Sequence, residues 1–234
     1  MKRVLLKLSG ELLGNANGKG LSLASIKKIA EHISRIKTKK EIQLAIVVGG
    51  GNILRGKEFS GTDFNGAVAD SMGMIGTVIN GLALQEALEK TGTPARLMTS
   101  IRMEPSAEFY IRKKAIAYLE SGNVVIFSGG TGNPFFTTDS AAVLRACETD
   151  CSLILKATHV DGIYDRDPKK HGKKAKLYKE ITYKEALAKD LRIMDSTAFA
   201  LAWREGKQII VFNEKNLSAI PDILEGKKIG TLVK

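Results

Sequence analysis

The spacing of apolar residues changes back and forth between two periods along the chain. Short apolar runs predict buried strands at 4–8, 42–48, 94–98, 123–127, 152–156 and 208–212. Apolar positions three and four residues apart predict amphipathic helices at 22–37, 66–89, 108–120, 139–149, 195–205 and 216–224. We interpret 162–164 as a further strand, 165–179 as a polar loop and 230–233 as an edge strand. This alternation predicts an α/β fold: a three-layer αβα sandwich around a central, mainly parallel sheet.

The longest predicted helix, 66–89, has one regular apolar face that several glycines accompany. The face consists of Val68, Met72, Ile75, Ile79 and Leu82. The glycines are Gly73, Gly76 and Gly81. Each glycine costs a helix about 1 kcal/mol relative to alanine. That cost predicts close packing against another helix or a second subunit.

Composition excludes several classes of protein. The chain has 234 residues, of which 44% are hydrophobic and 26% charged, so it is not a disordered chain. Its apolar runs are shorter than the roughly 20 residues that cross a bilayer, and its start lacks the apolar core of a signal peptide. Cys147 and Cys151 are too few for a disulfide framework or a zinc site. We interpret them as reduced, buried thiols of a cytoplasmic protein with a single domain over residues 1–234.

Charge and glycine content depart from ordinary usage. The net charge is +11, and 23 residues are glycine. Such an excess of positive charge suggests an anionic partner. The segment 165–179 holds seven Lys and Arg against two Asp, a local charge of +5. It leaves a nucleic-acid-binding regulator open, although Tyr178 is its one stacking aromatic and no nucleic-acid motif is present.

Three glycine loops follow predicted strands: Ser9-Gly10, Gly49 to Gly51 and Gly129 to Gly132. Ligands of open α/β sheets bind beyond the carboxyl ends of the strands, where glycine lets backbone N–H groups approach phosphate. The loops match neither the P-loop nor the dinucleotide fingerprint, and protein-kinase signatures are absent. Lys7 lies in the first strand, just before Ser9. Because a buried lysine needs a partner for its ammonium, we predict that Lys7 binds phosphate.

Six segments carry a family resemblance. They are Lys7–Glu11, Gly49–Gly56, Asp70–Met74, Thr131–Asp139, Lys156–Asp167 and Val211–Asn213. In this order they resemble the amino-acid-kinase superfamily and, within it, the bacterial UMP kinases. The run T-G-N-P-F-F-T-T-D, Thr131–Asp139, is the most specific, because amino-acid and carbamate kinases lack it. The resemblance implies reversible transfer of the ATP γ-phosphoryl group to UMP in pyrimidine nucleotide synthesis. Residues 1–150 would carry mainly the UMP side and 151–234 mainly the ATP side.

The resemblance also implies roles for individual residues. Lys7, Arg55 and Asp139 match the catalytic residues, with Asp139 orienting the lysine. The ATP side comprises Lys7, Leu8, Ser9, Gly10, Gly51, Arg55, Thr158, Tyr164 and Asp167. The UMP side comprises Gly50, Asp70, Thr131, Gly132, Asn133, Pro134, Phe135, Phe136, Thr137 and Thr138. The GTP-effector region of bacterial relatives aligns with Asn15, Ala16, Asn17, Gly18, Lys19 and Gly20; many relatives have an aromatic at the position of Lys19.

Phosphate chemistry agrees with these roles. The second pKa of a phosphate monoester is about 6, so UMP is largely dianionic at pH 7 and needs no general base. Lys7 and Arg55 would neutralise the transferring charge, with Mg²⁺ on the ATP oxygens and Lys156 as a second candidate. The resemblance further implies a homohexamer, inhibition by UTP and activation by GTP. It implies no membrane or nucleic-acid partner and no metal site on the protein itself.

Structural explanations compete with several of these roles. Asp70 and Asp139 are typical helix caps, one of Phe135 and Phe136 is expected in the core, and we interpret Asp195 as a cap. A carboxylate or carbamate kinase of the same superfamily is the first alternative function. A nucleic-acid-binding regulator is the second.

Overall fold

The computed structural model describes residues 2–37, 42–55, 59, 61–191 and 193–234. Within these residues, nine strands form one continuous sheet. They are β1 (Lys2–Leu8), β2 (Ile42–Val48), β3 (Ala95–Thr99), β4 (Glu108–Phe109), β5 (Val124–Ser128), β6 (Leu153–Thr158), β7 (Glu180–Ile181), β8 (Gln208–Asn213) and β9 (Thr231–Val233). Their spatial order is β4-β3-β5-β2-β1-β6-β8-β9-β7, and only β8 and β9 pair antiparallel.

Helices cover both faces of this sheet. They are α1 (Leu23–Lys37), α2 (Gly66–Lys90), α3 (Arg112–Glu120), α4 (Thr138–Glu148), α5 (Pro168–His171), α6 (Tyr183–Ala188), α7 (Ser196–Arg204) and α8 (Ile220–Leu224). One hydrophobic core joins the sheet to α1, α2 and α8, and a second core joins it to α3, α4, α6 and α7. The predicted three-layer α/β sandwich is confirmed.

The alternation of side chains along β1 positions the site. Val4, Leu6 and Leu8 belong to the core under α1 and α2, whereas Leu5 belongs to the core under α4 and α7. Successive strand residues point to opposite faces, so Lys7 lies on the same face as Leu5. The lysine therefore emerges at the carboxyl end of a central strand, on the side that α4 covers.

Two predicted elements differ from the structure at their ends. The predicted helix at 108–120 is wrong at its start, because Glu108–Phe109 pairs with β3 as a strand and Ile111 has extended backbone (φ −129°). Pairing with the sheet therefore takes precedence over the helical pattern here. The predicted strand at 162–164 is reduced to a single bridge between Tyr164 and Leu177.

The carboxyl-terminal part of the sheet also differs from prediction. The predicted edge strand, β9, is not at the edge, because β7 pairs with it on the outside. The predicted polar loop 165–179 contains α5 and a 3₁₀ turn at Gly172–Lys174. The predicted helix 216–224 is a 3₁₀ turn, Glu214–Ala219, followed by α8. Helix α6 was missed despite its capping box between Thr182 and Glu185.

Two of the three glycines predicted for close packing in α2 lie against side chains of β3 and of the second glycine loop's continuation in the same chain. A Cβ on Gly81 would lie 2.5 Å from Leu97 Cδ1 of β3, and one on Gly76 would lie 3.3 Å from Ile53 Cβ. Gly73 meets nothing within 4 Å. These contacts turn the predicted apolar face outward: Val68, Met72, Ile75, Ile79 and Leu82 are 37–48% exposed. Among the described residues, α2 alone is long and apolar enough to cross a membrane, but its opposite face packs on the sheet.

Candidate functional site

The three glycine loops meet at one edge of the sheet. Strands β1, β2 and β5 run parallel as neighbours, so the loops that follow Leu8, Val48 and Ser128 lie at the same carboxyl edge. The loops also contact one another. A Cβ on Gly10 would lie 2.5 Å from the carbonyl oxygen of Gly49, so only glycine allows the first loop to pack on the second. Ser9 caps the 3₁₀ turn that follows, accepting a hydrogen bond from the Glu11 N–H at 3.3 Å.

Two lysines share one carboxylate at the centre of this edge. Lys7 of β1 and Lys156 of β6 are partners in the parallel register. We call them the lysine pair. Asp139 lies between them, with Oδ1 2.9 Å from Lys7 Nζ and Oδ2 2.5 Å from Lys156 Nζ. Lys156 also donates to the carbonyl oxygen of Ile193 at 2.6 Å. The two charges thus have different surroundings: Lys156 is held by two acceptors, whereas Asp139 is the partner found for Lys7 among the described residues.

Burial and charge act in opposite directions on these groups. Burial alone would raise the pKa of Asp139, but the ammonium groups of Lys7 and Lys156 outweigh it and hold that pKa below its usual range. Burial lowers the pKa of Lys156, and the positive charge of Lys7 adds to this shift while Asp139 opposes it. Asp139 is therefore ionised at neutral pH and balances two neighbouring cations.

The start of α4 holds Asp139 in place. Thr137 is the N-cap, and its Oγ1 accepts hydrogen bonds from the N–H groups of Asp139 and Ser140. The competing explanation of Asp139 as the cap is therefore wrong. Asp195 caps α7, as predicted, and in addition accepts hydrogen bonds from the hydroxyls of Thr137 (2.5 Å) and Ser140 (3.0 Å). It ties the two helix starts together beside the lysine pair.

A cavity of about 150 Å³ opens next to this centre, between the second glycine loop, α2 and the start of α4. We call it the α2 cavity. Five residues of the predicted UMP side line it, together with Gly51 from the predicted ATP side. The lining residues are Gly50, Gly51, Leu54, Ala69, Asp70, Gly73, Met74, Thr77, Gly130, Phe136, Thr137 and Thr138. Gly130 belongs to a glycine loop predicted to approach phosphate, whereas the sequence assigned no site role to Leu54, Ala69, Gly73, Met74 and Thr77.

Loop 129–137 borders the α2 cavity. Gly132 N–H closes a turn on the Gly129 carbonyl at 3.0 Å, and Asn133 N–H donates to Thr131 Oγ1 at 3.2 Å. Asp70 does not cap α2, whose N-cap is Asn65; instead its Oδ2 accepts from the Phe135 N–H at 2.7 Å. Pro134 lies between these contacts in the same loop.

The aromatic residues of this loop point away from the core. Phe135 is 77% exposed and Phe136 47%, so the expectation that one of them belongs to the core is wrong. Phe135 also has a positive φ of 69°, which costs about 1 kcal/mol or more for a residue with a side chain. Exposed aromatics on strained backbone, beside a cavity, are typical of a binding loop.

Buried hydroxyl and amide groups bind the loops to α2. Thr77 Oγ1 accepts from the Gly129 N–H at 2.7 Å. Asn80 Nδ2 donates to the Gly49 carbonyl at 2.7 Å, and Asn80 and Asn52 exchange two side-chain hydrogen bonds. These helix positions were not recognised from the sequence, where isolated polar residues in a helix indicate a solvent face.

Charged side chains contact one another in a row on the predicted ATP side of the sheet's carboxyl edge. Arg55 Nη2 contacts Glu11 Oε1 at 2.8 Å, and His159 Nε2 lies 3.4 Å from Glu11 Oε2. His159 Nδ1 contacts the buried Glu214 at 2.7 Å. Arg55 is thus held against Glu11, just after the second glycine loop, and is half exposed. Gly56, the last residue of its motif, lies outside the described residues.

The remaining residues predicted for the ATP side lie at or after the carboxyl end of β6. Thr158 ends β6 and is the register partner of Asn213, the last residue of β8. Asp161 accepts from Asn213 Nδ2 at 2.8 Å and from the Tyr164 hydroxyl at 3.3 Å. Asp167 is at the start of α5, accepting backbone hydrogen bonds from Lys170 and His171 through its carbonyl.

The predicted effector region is an exposed loop joined to the second glycine loop. Asn15 N–H donates to the Lys19 carbonyl at 3.0 Å and Gly18 N–H to the Asn15 carbonyl at 2.7 Å, which closes the loop on itself around Ala16 and Asn17. Gly20 exchanges two hydrogen bonds with Asn52: its N–H donates to the Asn52 carbonyl at 2.8 Å, and its carbonyl accepts from Asn52 Nδ2 at 2.7 Å.

Comparison with known proteins shows the family of this chain. The model of the amino acid kinase family matches residues 2–213. This chain belongs to the amino acid kinase family. It is 46% identical, over 234 residues, to a uridylate kinase of Oenococcus oeni, and the match covers 99% of this chain and 96% of that relative.

Two solved structures are similar to this chain over its whole length. The UMP kinase of Bacillus anthracis is 39% identical with a TM-score of 0.94, covering 100% of this chain and 96% of that one. The UMP kinase of Ureaplasma parvum is 38% identical with a TM-score of 0.93, covering 100% and 98%. Neither alternative from the sequence, a carboxylate or carbamate kinase or a nucleic-acid-binding regulator, is favoured by these relatives.

Proposed function

We propose that this protein is a UMP kinase, which transfers the γ-phosphoryl group of ATP reversibly to UMP and gives UDP and ADP. The lysine pair and its shared Asp139, directly beside the α2 cavity, carry this proposal. The whole-chain relatives named uridylate kinase and UMP kinase support the same substrate pair. The product UDP would feed pyrimidine nucleotide synthesis.

In the proposed reaction, an oxygen of the UMP phosphate attacks the γ-phosphorus and the bond to the bridging oxygen of ADP breaks. No general base is needed, because the second pKa of the UMP phosphate is about 6. All three histidines belong to the described residues, and none lines the α2 cavity. Lys7, oriented by Asp139, neutralises the equatorial oxygens, and Arg55 approaches from just after the second glycine loop.

Each nucleotide is proposed to bind on its own side of Lys7. UMP would occupy the α2 cavity, with Asp70 on the ribose, Gly50 and Thr138 near its phosphate, and loop 129–137 around the base. ATP would lie across the ends of β1, β6 and β8, between Ser9-Gly10 and the group formed by Thr158, Tyr164 and Asp167. In this arrangement the two phosphate chains meet at Lys7.

Mg²⁺ enters this proposal as part of the ATP substrate. Its hard-ion chemistry favours phosphate oxygens and water over a cage of side chains, and it supplies charge neutralisation between the phosphoryl groups. Within the described part of the chain, no group of three or more His, Cys, Asp or Glu could hold a metal ion. Lys7 and Arg55 would be the protein cations beside an ion carried on the nucleotide.

The exposed apolar face of α2 supports an assembly of several copies, and the resemblance predicts a homohexamer. Val68, Met72, Ile75, Ile79 and Leu82 follow one another at spacings of four, three, four and three residues, the seam of paired helices. Ile75→Asp combined with Ile79→Asp should reduce the mass measured by analytical ultracentrifugation. Leu23→Asp, which changes an exposed leucine of α1, is the control. A wild-type protein that sediments only as a monomer would refute the assembly.

Regulation and location complete the proposal. GTP would act through loop 15–20, which reaches the second glycine loop through Gly20 and Asn52, and UTP would compete with UMP. Unchanged rates with added GTP would remove this effector site.

The free thiols of Cys147 and Cys151 support a reducing compartment, the cytoplasm. Cys151 is buried, as predicted, whereas Cys147 is half-buried; burial raises the pKa of Cys151 to about 11.

A coupled assay of ADP release tests the proposed activity. ATP and Mg²⁺ are combined with UMP, dUMP, CMP, TMP, acetylglutamate or carbamate as the acceptor. We expect turnover with UMP and none with acetylglutamate or carbamate. Turnover with either of the latter two, and none with UMP, would reverse the assignment.

A further inference from the structure

Arg145 is a buried cation that phosphoryl transfer does not use. It lies near the end of α4, 4% exposed, and forms an ion pair with Glu148. Its Cζ lies 3.9 Å from the centroid of the Tyr110 ring, and the Tyr110 hydroxyl donates to the same Glu148 carboxylate at 2.8 Å. A buried charge is costly unless its surroundings compensate it. The proposed phosphoryl transfer gives no reason for a buried cation behind loop 129–137.

The outward contact of Arg145 is with Ser100. Arg145 Nη2 donates to Ser100 Oγ at 2.7 Å, and Ser100 Oγ donates to the Gly130 carbonyl at 2.9 Å. The direction of both bonds is fixed by chemistry. A guanidinium can only donate, so the hydroxyl oxygen must accept, and its single proton goes to Gly130. The positive charge also polarises the hydroxyl, which strengthens the second bond.

This pair of bonds fixes one peptide plane of loop 129–137. In a trans peptide the C=O and the following N–H point in opposite directions, so a Gly130 carbonyl held toward Ser100 turns the Thr131 N–H away from it. Two peptides earlier, the N–H of the Ser128–Gly129 peptide donates to Thr77 Oγ1 at 2.7 Å. Gly130 itself lines the α2 cavity. The loop is thus fixed from two sides at the point where it borders that cavity.

We propose that Arg145 is a positioning residue, which acts through Ser100 to orient the Gly130–Thr131 peptide toward the acceptor nucleotide. The proposal rests on the proposed function in one respect, that loop 129–137 binds UMP. Arg145 itself touches neither nucleotide. Its loss should therefore weaken UMP binding and leave ATP binding as it was.

Three variants separate this role from a purely structural one. Arg145→Lys keeps a positive charge beside Glu148 but lacks the second guanidinium nitrogen that donates to Ser100. Ser100→Ala removes the hydroxyl that links Arg145 to the Gly130 carbonyl; we call these two hydrogen bonds the relay. Each should raise the KM for UMP about tenfold, the loss expected of one charge-assisted hydrogen bond, with the KM for ATP within about twofold. Glu148→Gln is the control, because it removes the charge of the partner and leaves the Ser100 contact. It should lower the unfolding temperature with little change in either KM.

Two further readouts keep the test decisive. In the double variant the two effects on the KM for UMP should not multiply, because both remove the same relay. Hydrogen exchange of the segment 129–134 should accelerate in Arg145→Lys and Ser100→Ala but not in Glu148→Gln, whatever the substrate. Unchanged exchange and an unchanged KM for UMP, or parallel changes in the KM for both nucleotides, would overturn the proposal. Absence of UMP turnover in the wild type would instead overturn the proposed function, and exchange would still test the relay.

Discussion

The lysine pair and loop 129–137 are neighbours built in opposite ways. Lys7 and Lys156 lie on central strands, each paired with strands on both sides, and Asp139 compensates their charges. Loop 129–137 has exposed aromatics, a strained Phe135 and contacts made mainly by hydroxyl groups and one carboxylate. The difference suggests a division of work. In the proposed reaction, the charges that must be in place before transfer lie on strands, whereas the groups proposed to recognise the acceptor lie on a loop that side chains hold from behind.

The largest expected effect comes from the shared carboxylate. Asp139→Asn would leave two adjacent ammonium groups without a counter-ion and Lys7 without its orienting partner. We expect kcat to fall about 10²-fold or more, and stability to fall by about 3 kcal/mol, as for other broken buried ion pairs. Steady-state rates and chemical denaturation measure the two effects.

A matched control for Asp139→Asn uses the opposite end of β1, where Arg3 pairs with Glu120 at the end of α3. Glu120→Gln removes the charge of an exposed carboxylate 3.2 Å from Arg3. It should leave kcat unchanged. Wild-type turnover in Asp139→Asn would show that the lysine does not depend on this carboxylate.

An intermediate effect is expected on the loop side. Asp70→Asn keeps an oxygen that can accept from the Phe135 N–H but removes the charge proposed for the ribose hydroxyls. The KM for UMP should rise about tenfold, in keeping with the loss of a hydrogen bond to a charged group. The KM for ATP should stay constant in the same initial-rate series. If the KM for ATP rose instead, the proposed division of the site into two sides would be wrong.

The smallest expected effect is on acid stability. The pKa of Asp139 is lowered in the folded protein from its ordinary value of 3.8, so its contribution is complete above that value and is lost as pH falls through the folded pKa. Denaturation at a series of pH values between about 5 and 2 should therefore show a steeper loss for the wild type than for Asp139→Asn. Equal slopes would show that the lysine pair does not hold Asp139 ionised.

The same two regions differ in how far the sequence predicts them. Lys7 could be recognised because a charged residue within an apolar run is exceptional, and the glycine loops because they follow strands. Thr77 and Asn80 could not, because single polar residues in a helix look like solvent-facing positions. Arg145 was missed for the same reason, since its partner Ser100 is 45 residues away. Pairing also decided two details of the sheet: Glu108–Phe109 pairs with β3 against its helical pattern, and β7 pairs on the outside of β9.

The most direct test of the proposed function measures phosphoryl transfer itself. ATP labelled in its γ-phosphate is mixed with UMP and an excess of either wild-type protein or Lys7→Ala, and labelled UDP is followed in a single turnover. We expect label in UDP with the wild type. With Lys7→Ala, whose thermal unfolding must show that it is folded, the rate should be lower by a factor of about 10² or more. Equal rates in the two proteins, or label that never reaches UDP, would contradict the account.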